Sequence, residues 1–235
     1  MSHLQKADNS GELDLAFSRI VQDRRSVRKF LPTPLPMDLI QKVIDDAQCT
    51  PSNVNTQPWV VHILSGASRD AFCQKALAAL AAGKMVGDFS FALTDYDGIF
   101  LERAQAQGKA FGDAMGIGRD MAELRMENIR RNLALYDAPH VALLFMPNAG
   151  DNVRIAADVG MYAQTFLLSL VAHGAAGLPS TLLGYFPAEA RQVAGVPDNF
   201  NLLFGIAFGY PETGHPMSEY RTGRAPSREC VVFHD

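Results

Sequence analysis

RRSVRKF, residues 24–30, sets four cations around one serine in a chain whose net charge is −4. It runs straight into LPTPLP, residues 31–36, where three prolines in close succession forbid regular structure, so the cluster sits on irregular backbone between two helical patterns. Two readings are open. An isolated basic run is ordinarily a solvated turn. Arginine forks beside a hydroxyl donor also make a pocket for an anionic group such as a phosphate. The remainder of the chain has to discriminate between them.

Working outward, ELDLAFSRIVQDRR places Leu15, Ile20 and Val21 as a short helix ending in the cluster. Downstream, Met37 to Cys49 puts Leu39, Ile40, Val43, Ile44 and Ala47 on one helical face. TPSNVNTQPW, residues 50–59, breaks that helix, because its prolines, asparagines and hydroxyls favour turns. Val60 to Leu64 reads as a strand, and a helix capped by Ser68 runs to Gly83. Residues 84–118 read as a lid-like excursion with short helices. Arg119 to Leu135 is helical, APHVALLFMP supplies a second strand and Asn152 to His173 a long buried helix. GAAGLPST, residues 174–181, is a glycine-punctuated turn; Ala188 to Ala194 is a short helix begun by Pro187, and Leu202 to Phe208 is a third strand. The terminal CVVF could add an edge strand. No repeat appears, and strands do not alternate regularly with helices, which predicts an α+β domain with helices around a small sheet.

With 235 residues, 48% hydrophobic and 20% charged, the chain can bury a full core, and its acidity excludes a nucleic-acid binder held by bulk positive charge. Cys49, Cys73 and Cys230 are odd in number and lack a CxxC pair, which fits a reducing compartment without disulfides. The six histidines show no metal-ligand spacing, so no metal is expected. Residues 1–14 are polar and lack an apolar signal core, and read as a flexible leader. The apolar region Val159 to Gly177 is broken by Gln164, His173 and Gly174, as in a buried helix rather than a membrane span.

The familiar catalytic motifs are missing. GDAMGIG, residues 112–118, follows no strand and does not make a phosphate-binding turn. There is no GxSxG, and Cys49 and Cys73 read as packing residues. Three polar segments remain: RRSVR, PSNVNTQPW and RTGR at residues 221–224. Singly, each has a bland explanation as a solvated or self-satisfying loop. Together they offer arginines for a phosphate and amides for a polar heterocycle, while GAAGLPST offers backbone N–H groups. The set fits a phosphorylated, ring-bearing cofactor.

The order RRSVRKF, TPSNVNTQPWVVHIL, DAPHVALLF, HGAAGLPSTLLGYFP and FGYPE…RTGR…CVVF resembles the FMN-dependent nitroreductases over nearly the whole chain, from Phe17 onward. The resemblance implies one domain, residues 15–235, of nitroreductase-like fold: a small central mixed sheet surrounded by helices, in an intertwined homodimer with FMN at the subunit interface. Arg24, Arg25, Ser26 and Arg28 would bind the FMN phosphate and ribityl chain, and Arg224, with Arg221, would close the phosphate site. Pro51, Ser52, Asn53 and Asn55, with Gln57 nearby, would reach the flavin from the partner subunit. Gly177 and Leu178 would present backbone groups to the ring, and Phe89, Phe91, Tyr96 and Phe100 in the lid would shape the acceptor. The implied activity is a cytoplasmic FMN-dependent oxidoreductase. It would reduce nitroaromatic or quinone-type acceptors with NADH or NADPH in two half-reactions of hydride transfer, with no catalytic side chain beyond the flavin. Reductive dehalogenation, flavin conversion and non-enzymatic flavin binding are the alternatives. Two departures stand out. Ser218 lies where relatives often carry asparagine, and Pro179 removes an N–H donor from the ring-facing turn.

Overall fold

The computed structural model describes residues 10–118 and 121–234, so residues 1–9 of the expected leader lie outside it. Its centre is a four-stranded sheet in the order β1-β2-β4-β3, formed by β1 (Val60–Ser65), β2 (His140–Pro147), β3 (Ala176–Ser180) and β4 (Phe200–Gly209). From Val141 onward β2 is apolar, and both of its faces are covered. The strand's period of two sends Val141, Leu143 and Phe145 into one core layer and Ala142, Leu144 and Met146 into the other. Three helices, α3 (Gly66–Ala81), α5 (Ala122–Leu133) and α7 (Pro187–Ala194), close the first layer through Phe72, Ala76, Leu133 and Ala190. On the second face lie α2 (Met37–Gln48) and α6 (Val153–Ala172), joined by Ile40, Val43, Val159, Tyr162 and Phe166. The α+β architecture is therefore a three-layer sandwich with α6 as its central helix.

Several expectations need correction. All three strand pairings are antiparallel, so the sheet is mixed only through one parallel bridge between Ser26 and Gly177. The glycine-punctuated turn is in fact β3: Gly177 and Pro179 sit on an edge strand where a missing side chain and a missing N–H are tolerated. Among its described residues the CVVF tail forms no strand, and Val231, Val232 and Phe233 are exposed. The first helix, α1 (Ser10–Asp23), begins inside the segment expected to be a leader. The excursion contains one short 3-10 helix, Leu93–Asp95, but its main element is a long helix, α4 (Gly98–Met115). Ser68 is not the cap of α3. Ser65 is, with Ser68 completing the capping box three residues later. The expected start of α5 at Arg119 lies outside the described residues.

α6 is long and apolar enough to cross a membrane. Here its buried side chains pack on the sheet, while Val153 and Met161 remain exposed along another stripe. α1 lies against α6 with Leu13, Leu15 and Phe17 also exposed.

Candidate functional site

The RRSVRKF segment is extended and pinned by its two apolar residues, Val27 and Phe30, both fully buried. Its backbone is stitched to the C-terminal region and to the turn before β2. The N–H of Arg28 donates to Met217 O, that of Phe30 to Tyr136 O, and that of Leu31 to Tyr210 O. Ser218, fully buried, donates its hydroxyl to Lys29 O. With Val27 and Phe30 buried and Ser26 bridged to Gly177, Arg24, Arg25 and Ser26 stay half-exposed beside the edge of β3.

That arrangement creates a cavity of about 810 Å³. Arg24, Arg25 and Ser26 line it from the N-terminal side and Arg221, Thr222 and Arg224 from the C-terminal side; Gln164 and Leu167 of α6 and Pro179 of β3 form the floor. Of the expected site residues the structure thus gathers five in one place, although they lie up to 200 positions apart in sequence.

The five are not equivalent. Arg25 forms an ion pair with Glu219 at 3.2 Å and donates through Nε to Ser218 O. Arg221 donates to Gln22 O at 2.7 Å and pairs with Asp23 at 3.4 Å. Both guanidinium groups tie the end of α1 to the C-terminal segment. Arg24, by contrast, has no carboxylate partner among the described residues, and Arg224 reaches only the neighbouring carbonyls of Thr222 and Gly223. Burial, and secondarily repulsion from Arg224, lowers the pKa of Arg24 from its ordinary value. Two guanidinium groups beside a hydroxyl and an open cavity have the chemistry to receive an anion.

Arg28 does not line the cavity. Its guanidinium lies 4.6 Å from the centre of the Phe111 ring and donates to Ser26 O at 3.2 Å, and burial lowers its pKa. It braces Ser26 against the α4 helix. Nor do Gly177 and Leu178 form the cavity surface: Leu178 is buried in the core, and Gly177 is buried with Ser26 bridged to it. A Cβ on Gly177 would lie 2.6 Å from Leu167 Cδ2, so the glycine permits close packing of β3 on α6. Pro179, whose N–H is absent, is the exposed member of the strand, and sequence reasoning passed over it as a contact. Alternation along a strand was the available signal.

Pro51, Ser52, Asn53, Asn55 and Gln57 lie outside the cavity. They form an exposed turn in which Val54, Asn55 and Gln57 have positive φ of 44°, 59° and 47°. For a β-branched residue this conformation costs about 1–2 kcal/mol. Ser52 Oγ accepts from the Gln57 N–H at 2.9 Å, and the carboxylate of Asp158 accepts from the Asn53 N–H at 3.1 Å. In the excursion, Phe89 packs under the second core layer, Phe91 and Tyr96 meet edge to face at 5.6 Å, and Phe100 is exposed. Burial pushes the Cys73 thiol up to about 11, which rules it out as a nucleophile near neutrality.

Comparison with known proteins now bears on this geometry. Residues 21–210 match the family model described as the nitroreductase family. The chain belongs to the nitroreductase family. It is 38% identical over 222 residues to the nitroreductase NfnB of Mycolicibacterium smegmatis, covering 94% of both chains. It is 29% identical over 223 residues to a 4-nitrobenzoate reductase of a Nocardioides species, covering 93% of this chain and 90% of that one. A crystal structure of the FMN-dependent NfnB from Mycobacterium smegmatis in complex with NADPH superposes with a TM-score of 0.92, covering 95% of this chain and 100% of the other. The family match begins at Val21 and so includes the whole RRSVRKF segment. It ends at Tyr210, before RTGR, so Arg221 and Arg224 lie beyond the matched residues.

Proposed function

We propose that this nitroreductase-family protein is an FMN-dependent NAD(P)H nitroreductase whose Arg24 and Arg224 hold the phosphate of FMN. The observation that carries the proposal is the pair of uncompensated guanidinium groups facing one cavity from opposite ends of the chain. A phosphate dianion matches that charge, Ser26 supplies a hydroxyl donor, and Pro179, Gln164 and Leu167 offer a partly apolar floor for a flat ring. The relatives point the same way: NfnB is FMN-dependent and was crystallised with NADPH.

When bound there, FMN supplies the hydride exchange between nicotinamide and acceptor, in two half-reactions. The chain's own tasks are to bind, orient and shield. Arg25 and Arg221 hold the two chain ends together, so that Arg24 and Arg224 are placed before a phosphate arrives. Arg28 orients Ser26, and Phe91, Tyr96 and Phe100 provide aromatic surface suited to a nitroaromatic or quinone-type acceptor. No side chain is required to move a proton at the acceptor.

The working unit in this proposal is a homodimer in the cytoplasm. Supporting it are the apolar side chains left exposed on α1 and α6, and a polar turn that cannot reach its own chain's cavity. That turn would complete the flavin site of the partner. The three cysteines are free, as in a reducing compartment. The test is direct. Purified protein should be yellow, should bleach anaerobically with one equivalent of NADPH or NADH, and should oxidise the nicotinamide when a nitroaromatic is added. A colourless protein that gains no absorbance with added FMN would end the proposal.

A further inference from the structure

Asp158 is a carboxylate left 5% exposed in the second turn of α6, and among the described residues no cation pairs with it. Burying an ionised group without a counter-charge is costly unless specific donors hold it. Its one donor here is the backbone N–H of Asn53, 3.2 Å from Oδ1 and 3.1 Å from Oδ2. Asn53 opens the strained turn that carries three positive-φ residues. A second contact, from Thr50 Oγ1 to Thr165 Oγ1 at 2.9 Å, fixes the entry to the same turn on the same helix. Such a backbone persists only where its surroundings over-determine it. About two turns beyond Asp158, α6 presents Gln164 and Leu167 to the arginine cavity.

We propose that Asp158 is a positioning residue: through the Asn53 N–H it holds the Ser52–Gln57 turn in the shape that completes a flavin site in the partner subunit. The inference rests on the homodimer reading above for its destination, but not for the contact itself. α6 then carries the floor of its own chain's cavity and the anchor for the neighbour's, which makes it the element shared by the two sites.

The experiment uses the full-length protein and FMN. Asp158→Ala should raise the FMN dissociation constant about tenfold or more, the usual consequence of losing a charge-assisted hydrogen bond. Asp158→Asn, which keeps an acceptor oxygen and the side-chain shape, should restore most of the affinity. In the flavin-free protein, hydrogen exchange at the Asn53 amide should quicken at least tenfold in Asp158→Ala, with the amides of the α6 core unchanged. Unaltered FMN affinity, or protection lost evenly along α6, would overturn the proposal. The destination is tested separately with a mixed dimer of one Arg24→Ala and one Asp158→Ala protomer. If the turn acts across the interface, one intact site returns, with one FMN per dimer at wild-type affinity. If no intact site returns while Asp158→Ala still weakens binding, the anchoring role stands and the partner-subunit reading falls.

Discussion

The arginine cavity and the Ser52–Gln57 turn look alike in sequence, since each is a short polar run flanked by apolar segments. In the structure they are opposites. The turn uses its polar groups on itself and on α6: Ser52 accepts from Gln57, Thr56 donates to Asn53 O, and Asp158 takes the Asn53 N–H. The cavity leaves two of its strongest groups without a counter-charge among the described residues. Arg24 and Arg224 face each other without a carboxylate, while Arg25 and Arg221 have one each. The difference separates groups held by a counter-charge from groups that lack one, and it is visible only when every donor is followed to its acceptor.

The comparison breaks most readily at the free pair. Each charge-assisted contact to a phosphate is worth roughly 1.5–3 kcal/mol, so Arg24→Ala should weaken FMN binding about 10- to 100-fold, and the Arg24→Ala, Arg224→Ala double variant should purify colourless. Isothermal titration of the flavin-free proteins reads this; a double variant as yellow as the parent would show that the phosphate lies elsewhere. Gly177→Ala comes next. Its new methyl must displace Leu167, which should cost about 1–3 kcal/mol in urea unfolding and narrow the cavity floor. Relief of strain in the turn is smaller: Val54→Gly should stabilise the folded chain by up to about 1 kcal/mol, seen as a rise in Tm. The clamps should respond least. A double-mutant cycle on Arg25 and Glu219 should return a coupling of about 0.5–1 kcal/mol, because Glu219 is half-exposed and screened by solvent.

His140 gives a reference outside both regions. Its Nε2 accepts from the Leu35 N–H, and its Nδ1 meets Ser65 Oγ, so the neutral ring is the form that fits. Burial lowers its pKa. The unfolded chain therefore binds the proton more readily, and this contribution to stability is full above the ordinary histidine range and is lost as pH falls through it. Urea midpoints at pH 7.5 and 5.5 should show the loss, and His140→Asn should reduce the pH dependence.

Local signals carried much of the fold. α2, α6, β1, β2 and β4 were legible because apolar periodicity reports which face is buried, and burial dominates helix and strand choice. β3 was read as a turn because glycine and proline are poor strand formers, and an edge position that accepts both is a tertiary fact. α4 was missed because its apolar pattern is weak: none of its side chains is fully buried, although Phe111 and Met115 pack against the core. The site divided in the same way. RRSVR, PSNVNTQPW and RTGR stood out by composition, yet composition could not tell Arg24 from Arg25, which differ only in what lies opposite them.

By itself, then, the sequence determined the element types, the three polar segments and the kind of ligand they suit, because these follow from residue chemistry and short-range period. The tertiary structure decided which guanidinium groups remain free, which strand edge they meet, and that the polar turn faces away from its own cavity. Those outcomes depend on contacts between residues as far apart as Arg25 and Glu219, which no local pattern encodes.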